Sequence, residues 1–500
     1  MLTNAVALSS KILFGYVHLL VPINNTGNNH MKLRKLVVAV GLSICSPFCF
    51  SDIITSGDVS VIDGAFNSYP VDIGPGDTHL GPDLGVFLIS TVDQQSSLTV
   101  NNGSTLSGAQ LVAMSEVDSD GVPIPGVEPA QIIIDGVGSS IQLYHSGPGS
   151  AGQIDLSSQG SANLSIVNGG ALVFNVSDEC GAFECNLGYL SNAAGTNTNI
   201  VVSGEGSLLD LAHNAQQRIA IGTASYQVWE TSNFGYPGGE TNISISIAEG
   251  ARFETSIAEV SPGWTGPDNT GTESINASIE VTGSGSTWYS ESIFLGFGDG
   301  AENMSGLSAN LTVSDGGVID SNIFIGEAGE LAGDGTVSGD IENWGGVVSP
   351  GLSPGNLMID GDFYMESGSI LLEIGGIESG MFDALFVDGS INIMGGEILI
   401  DFIDGFLPSS GDSFDFLNYS SEIFIDSDVI FGINGYDGEE IFNFDRTTGR
   451  LTVDSISVDV EESASIWLLG FIVLIACFAR NKTISLLVEP CSIRAEKMAV

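Results

Sequence analysis

The chain has 500 residues, enough for two or three ordinary domains or one long repeat array, and its 66 glycines are about twice the usual share. It carries 61 acidic against 12 basic residues, a formal charge of −49, and no lysine lies between Lys35 and Lys482. A surface this negative repels phosphate backbones, which excludes nucleic acid as a partner, while a hydrophobic share of 43% argues against disorder.

Residues 1–30 hold no recognisable element, and Met31 is the expected start of a leader. Met31-Lys-Leu-Arg-Lys35 is a basic n-region, 36–45 an apolar h-region, and Cys49 and Ser51 are the small residues a signal peptidase reads before Asp52. Residues 31–51 are therefore expected to be a signal peptide, followed by an N-terminal cap region over 52–90.

The body, 91–420, repeats itself. A β-branched residue followed by a glycine turn recurs at Val100, Ile134, Val167, Val202, Ile247, Val281 and Val313, at spacings of 34, 33, 35, 45, 34 and 32 residues. The turns alternate between a Gly-x-Gly-Ser form and a form with one glycine or a glycine pair, so the repeating unit is a pair of about 67 residues. Around each turn apolar and polar residues alternate, as in a strand with one buried face, and the glycines supply the positive φ that other side chains resist. Short strands, glycine corners and a fixed period predict coils that bury their inner faces only by stacking. The expected fold is all-β, a right-handed parallel β-helix (β-solenoid) with about three coils per pair. Val100, Val167, Val202, Val281 and Val313 are expected to point inward, and a short hydrophobic helix to follow near the C-terminus.

Of the six cysteines, Cys45 and Cys49 lie in the export signal and Cys477 and Cys491 at or beyond the C-terminal apolar segment, which leaves Cys180 and Cys185 in the exported body. In an oxidising compartment two cysteines this close are expected to form one local disulfide; a zinc site needs two further ligands, and none is adjacent. A terminal β region is expected over 421–460. Ser463 begins an uncharged run that reaches Ala479 and is followed by Arg480-Asn-Lys482. With Trp467 near one edge and basic residues at the other, 463–482 suits a membrane anchor or sorting segment with its basic side inward, and 483–500 form a tail.

Two stretches resemble known families. The segment from Ser463 through Ile466-Trp-Leu-Leu-Gly470 to Lys482 resembles the C-terminal sorting segment of PEP-CTERM proteins, with Val460-Glu-Glu-Ser463 standing where that family places Pro-Glu-Pro. Val281-Thr-Gly-Ser-Gly-Ser-Thr-Trp288, Ile293-Phe-Leu-Gly296, Leu311-Thr-Val-Ser-Asp-Gly-Gly317 and Ile323-Phe-Ile-Gly326 resemble autotransporter passenger repeats. The likeness continues through Leu331-Ala-Gly-Asp-Gly-Thr-Val337, Val348-Ser-Pro-Gly-Leu-Ser-Pro-Gly355 and Phe386-Val-Asp-Gly389 to Gly411-Asp-Ser-Phe-Asp-Phe416. It implies a β-helix and a place at the cell surface.

No catalytic motif emerges. His79, His145 and His213, the histidines of the body, have no metal-ligand spacing. Gly351-Leu-Ser-Pro-Gly355 matches Gly-x-Ser-x-Gly formally, but Pro354 has no N–H for an oxyanion hole, so the match reads as a turn. A uronate lyase needs clustered cations, whereas Arg218, Arg252, Arg446 and Arg450 are widely spaced. A glycosidase needs only paired carboxylates. Acidic turns such as Asp118-Ser-Asp120 suit weak, extracellular-type calcium binding, but the Gly-Gly-x-Gly-x-Asp repeat is absent, and no metal site, catalytic residue or cofactor is assigned. The expectation is a non-catalytic surface or extracellular-matrix protein, structural or adhesive, at the envelope or outside the cell. Its expected partners are the envelope sorting machinery and extracellular polysaccharide or other surface proteins. The alternative is a secreted glycan-active β-helix enzyme, hydrolase or lyase. A face with clustered carboxylates and aromatics favours the enzyme, and uniform Ser/Thr/Asn ladders favour the structural role.

Overall fold

The computed structural model describes residues 16–22, 33–39 and, with interruptions, 52–454; the longest interruptions are 177–187, 223–239, 262–273 and 298–305. Cys180 and Cys185, His213 and the segment 463–482 with its expected helix lie outside the described residues. Tyr16–Pro22 and Leu33–Ala39 pair antiparallel. Every regular element among the described residues is a β-strand. The chain divides into two compact units, 1–293 with 298–309 and 294–297 with 310–500.

In the first unit, strands of one coil pair in parallel with the equivalent strands of the next. Ser97–Asn101, Ala130–Asp135, Ala162–Val167, Asn197–Ser203, Glu240–Ala248 and Ser274–Thr282 form one such ladder. A second ladder runs from Thr105–Gly108 through Ser140–His145 and Ala171–Val176 to Leu208–Leu211, and a third from Gln110–Ser115 through Gln153–Leu156 and Gly188–Leu190 to Arg218–Ile221. The second and third ladders then merge, because Arg252–Val260 pairs first with Leu208–Leu211 and then with Arg218–Ile221. Side chains alternate across each strand. The inward ones stack in the core, where Leu98, Val100, Ile132, Ile134, Leu164, Ile166, Ile200 and Val202 are all fully buried. Phe253 and Trp288 stack face to face at 5.3 Å, and the buried indole N–H donates to Thr255 Oγ1 at 3.1 Å. Asp52–Ser56 and Asp58–Asp63 pair antiparallel with Ser97–Asn101 and Leu84–Ser90, occupying the edge of the first coil.

Between the first two ladders the corners alternate as their sequences do. Asn102 and Gly103 take φ of 54° and 80°, as do Asn168 and Gly169 at 53° and 85°, whereas in the other form the first and third residues are left-handed, as at Gly136 and Gly138 with 92° and 82°. Glycine adopts such angles without steric cost and asparagine tolerates them, and the serine that ends each Gly-x-Gly-Ser corner is buried.

The second unit is built in the same way on coils of changing size. The register Ile323↔Ile341↔Phe363↔Ile391↔Ile423 gives coils of 18, 22, 28 and 32 residues. Its inner face holds Ile323, Ile341, Phe363, Ile391, Ile370 and Ile398, all fully buried. Toward the C-terminus Ser413–Asp415, Arg450–Asp454 and Ile441–Asp445 form a three-stranded antiparallel sheet that buries Phe414, Leu451 and Val453.

Two expectations need correction. In the first unit the register Val100↔Ile134↔Ile166↔Val202↔Ile247↔Val281 makes coils of 32–45 residues, so each 67-residue pair holds two coils, not three. Each coil spends three strands and longer connections on one circuit. Val100, Val202, Val281 and Val313 are fully buried, but Val167 is only half-buried and its neighbour Ile166 takes the inward position. The turn Asn168-Gly169 follows Val167 directly, whereas Asn101 separates Val100 from the matching turn, and a one-residue shift reverses which face a strand residue occupies.

Candidate functional site

On the outer face of the second unit the parallel register lines up residues far apart in sequence. Phe324, Glu342, Tyr364, Asn392 and Phe424 occupy one column, each a coil beyond the last. They stand there because each follows an inward residue of the column Ile323, Ile341, Phe363, Ile391 and Ile423, and strand side chains alternate faces. Phe294 extends the column by stacking on Phe324 at 4.9 Å and 12° between planes. Beside it, a break in register between Asn343 and Val347 turns Trp344 outward, 44% exposed, with its ring 6.0 Å from that of Tyr364. Phe424 is 48% exposed.

Carboxylates are fixed between these rings. Trp344 Nε1 donates to Glu342 Oε2 at 3.2 Å, and the Tyr364 hydroxyl donates to Glu366. The bond to Glu366 holds the Tyr364 phenol above its ordinary pKa. A second column borders the strip: the Asn322 side chain accepts the Asp340 N–H at 2.9 Å, Asp340 accepts that of Asp362 at 2.8 Å, and Asp362 accepts that of Ser390 at 2.7 Å. Those carboxylates extend the backbone ladder and rigidify the rim.

In the first unit the outer polar column is of the other kind: the amides of the register partners Asn197, Asn242 and Asn276 link successively at 3.1 Å. Beneath it, the buried Ser161 Oγ accepts the Asn197 N–H at 3.0 Å, and Ser115 Oγ, buried at the end of a third-ladder strand, accepts the Ser161 N–H at 2.9 Å. The amides thus join three successive coils. One pair of acids interrupts the pattern of that unit. Asp210 and Glu254 are register partners. Burial, with a smaller push from Glu254, raises Asp210 to about 6 against the Ala212 N–H bond and the Arg252 charge, while Glu254 pairs with Arg252 at 2.8 Å.

The residues weighed from sequence fall as follows. Gly351-Leu-Ser-Pro-Gly355 is a turn between Ile341–Pro350 and Asn356–Ile359, so a strand stands where an esterase elbow needs a helix. Asp383, almost fully buried, closes that turn by accepting the Gly355 N–H at 2.8 Å and the Glu373 N–H at 2.7 Å. Burial raises its carboxyl to about 6 against those two bonds. His79 Nδ1 meets Ser107 Oγ at 2.6 Å. Arg218 pairs with Glu259 and Arg450 with Asp415, and Arg446 donates to the carbonyls of Asp426 and Val429, both at 2.6 Å. With Arg252 on Glu254, every arginine of the body is engaged. Among the described residues no group of three or more His, Cys, Asp or Glu is placed to hold a metal, and no helix is long and apolar enough to cross a membrane.

The aromatic strip went unnoticed in the sequence, although Phe324, Tyr364 and Phe424 each sit on the polar phase of a period-2 strand. That was the available signal.

Each unit is thus a stack of parallel β coils, the arrangement of a β-helix. Comparison of the chain with protein-family models and with curated proteins found no match.

Proposed function

We propose that this chain is an exported, non-catalytic β-solenoid of the cell surface or extracellular matrix, with a structural or adhesive role. The observation that carries the reading is the column Asn197, Asn242 and Asn276, whose amides join three successive coils on the outer face, because such a ladder builds an extended, regular surface rather than a single cleft. Right-handed winding follows the general rule for parallel β connections. Residues 31–51 direct export, and 463–482 form the hydrophobic helix that the envelope sorting machinery reads. The acidic surface stays soluble and attracts cations outside the cell. Mass spectrometry of the mature protein from cell fractions tests this. An envelope or extracellular species beginning at Asp52 is expected, and an intact cytoplasmic species beginning at Met1 or Met31 overturns it.

A glycan hydrolase is the second reading, and the Asp210–Glu254 pair is what favours it. Two neighbouring carboxylates, one of them held protonated toward neutral pH by burial, suit acid–base cleavage of a glycosidic bond. Release of reducing ends from a polysaccharide panel, abolished by Asp210→Asn, would establish it.

A further inference from the structure

The outer strip of the second unit has a spacing, a chemistry and a charge that together select a ligand. Tyr364 and Phe424 stand on alternate coils of one column with Asn392 between them, while Phe324, two coils before Tyr364 and beyond Glu342, has one face covered by Phe294 at 4.9 Å. Neighbouring strands lie about 4.8 Å apart, so Tyr364 and Phe424 stand ~10 Å apart along the stack. The disaccharide repeat of an extended β-1,4-linked chain has nearly the same length. Aromatic faces take the apolar C–H faces of pyranose rings, and fixed acceptors take their hydroxyls. Glu342 and Glu366 are such acceptors, each oriented by the N–H or O–H of a neighbouring ring. The charge also rules out an anionic ligand. No lysine or arginine stands in either column, and the whole chain carries −49, so a uronate or sulfated polymer would be repelled.

We propose that this strip binds a neutral, extended β-1,4-linked polysaccharide lying along the stacking direction. The inference deepens the surface reading above by naming the partner and rests on it for its biological setting. Its test uses purified full-length chain in solution and does not depend on where the protein resides, so the two can fail separately.

The experiment is titration calorimetry with the β-1,4-linked hexasaccharides of glucose, mannose and N-acetylglucosamine, with β-1,4-linked hexamannuronate as the charged comparison. At least one neutral hexasaccharide binds, and hexamannuronate binds at least tenfold more weakly. Phe424→Ala, at a half-exposed position, weakens binding about tenfold with an unchanged melting temperature. Tyr364→Ala does the same, while Tyr364→Phe keeps affinity within about threefold. Failure of all three neutral ligands to bind overturns the proposal, as does equal affinity for hexamannuronate. Binding that both alanine variants leave intact places the ligand elsewhere and overturns it too. Light scattering provides the remaining check: a concentration-dependent dimer abolished by Phe424→Ala would make a second copy of this chain the occupant.

Discussion

Ser207 Oγ accepts the N–H of Gly169, one coil earlier, at 3.0 Å, and its own hydroxyl donates to the Ser203 carbonyl at 2.7 Å. Ser139 serves Gly103 at 2.9 Å and Ser286 serves Gly250 at 3.0 Å in the same way. Each Gly-x-Gly-Ser corner is thereby bolted to the corner of the other type before it, which is the physical content of the alternation in the sequence.

Ser207→Ala should cost about 1–2 kcal/mol, since it strands the partly buried Gly169 N–H, while the Ser203 carbonyl keeps the Asn168 N–H at 3.2 Å. Ser207→Thr keeps the hydroxyl and should cost less if the extra methyl is accommodated. Thermal melts of both variants decide it, and equal melting temperatures for Ala and wild type would show that water replaces the serine.

Ile166 and Val167 are adjacent, yet one is fully buried and the other half-buried. Ile166→Ser should destabilise by about 3 kcal/mol or more, through a cavity and a buried hydroxyl, whereas Val167→Ser should change stability by less than about 1 kcal/mol. Val281→Asp, which buries an unpaired charge, should exceed both. Denaturant titration would refute the register if the first two variants ranked the other way.

Asp383 and Asp210 titrate near 6 because burial disfavours their charged forms. The folded chain therefore binds these protons more tightly than the unfolded chain, whose carboxyls titrate near 3.8. Their contribution is complete below that value and is lost as pH rises to about 6. For the almost fully buried Asp383 the loss amounts to at most ~3 kcal/mol. Stability measured from pH 4 to 7 should fall less steeply in Asp383→Asn than in wild type. An unchanged slope would mean that the two backbone N–H bonds to Asp383 already offset its burial.

With 61 acidic against 12 basic residues, self-repulsion should relax as salt is added. The melting temperature should rise between low salt and seawater-like ionic strength, where the Debye length falls below about 8 Å. Calcium at equal ionic strength should add little, and a much larger calcium effect would reveal specific oxygen-ligand sites.

Much of this fold is legible in the sequence, because Gly103, Gly138 and their equivalents mark corners that no other residue fits, and period-2 alternation then phases the strands beside them. Alternation alone misplaces Val167, where the turn comes one residue sooner. The number of coils is not legible either, because a period gives the distance to the next equivalent strand but not how many strands fill one circuit. The strip was hidden for a related reason. Phe324, Tyr364 and Phe424 span a hundred residues of sequence, and only parallel register, a long-range property, brings them into line. The Asp210–Glu254 pairing was out of reach for the same cause.

The coil between Val202 and Ile247 is 45 residues long, yet Val202↔Ile247 and Ile221↔Val260 keep their register on either side of the extra length. The added residues enter between Gly222 and Glu240, downstream of one ladder and upstream of the next. Length is therefore free to vary at that junction while both neighbouring ladders hold their phase. The frame is thus tolerant of insertion at that point, since added length alters neither the strand that ends at Ile221 nor the one that begins at Glu240.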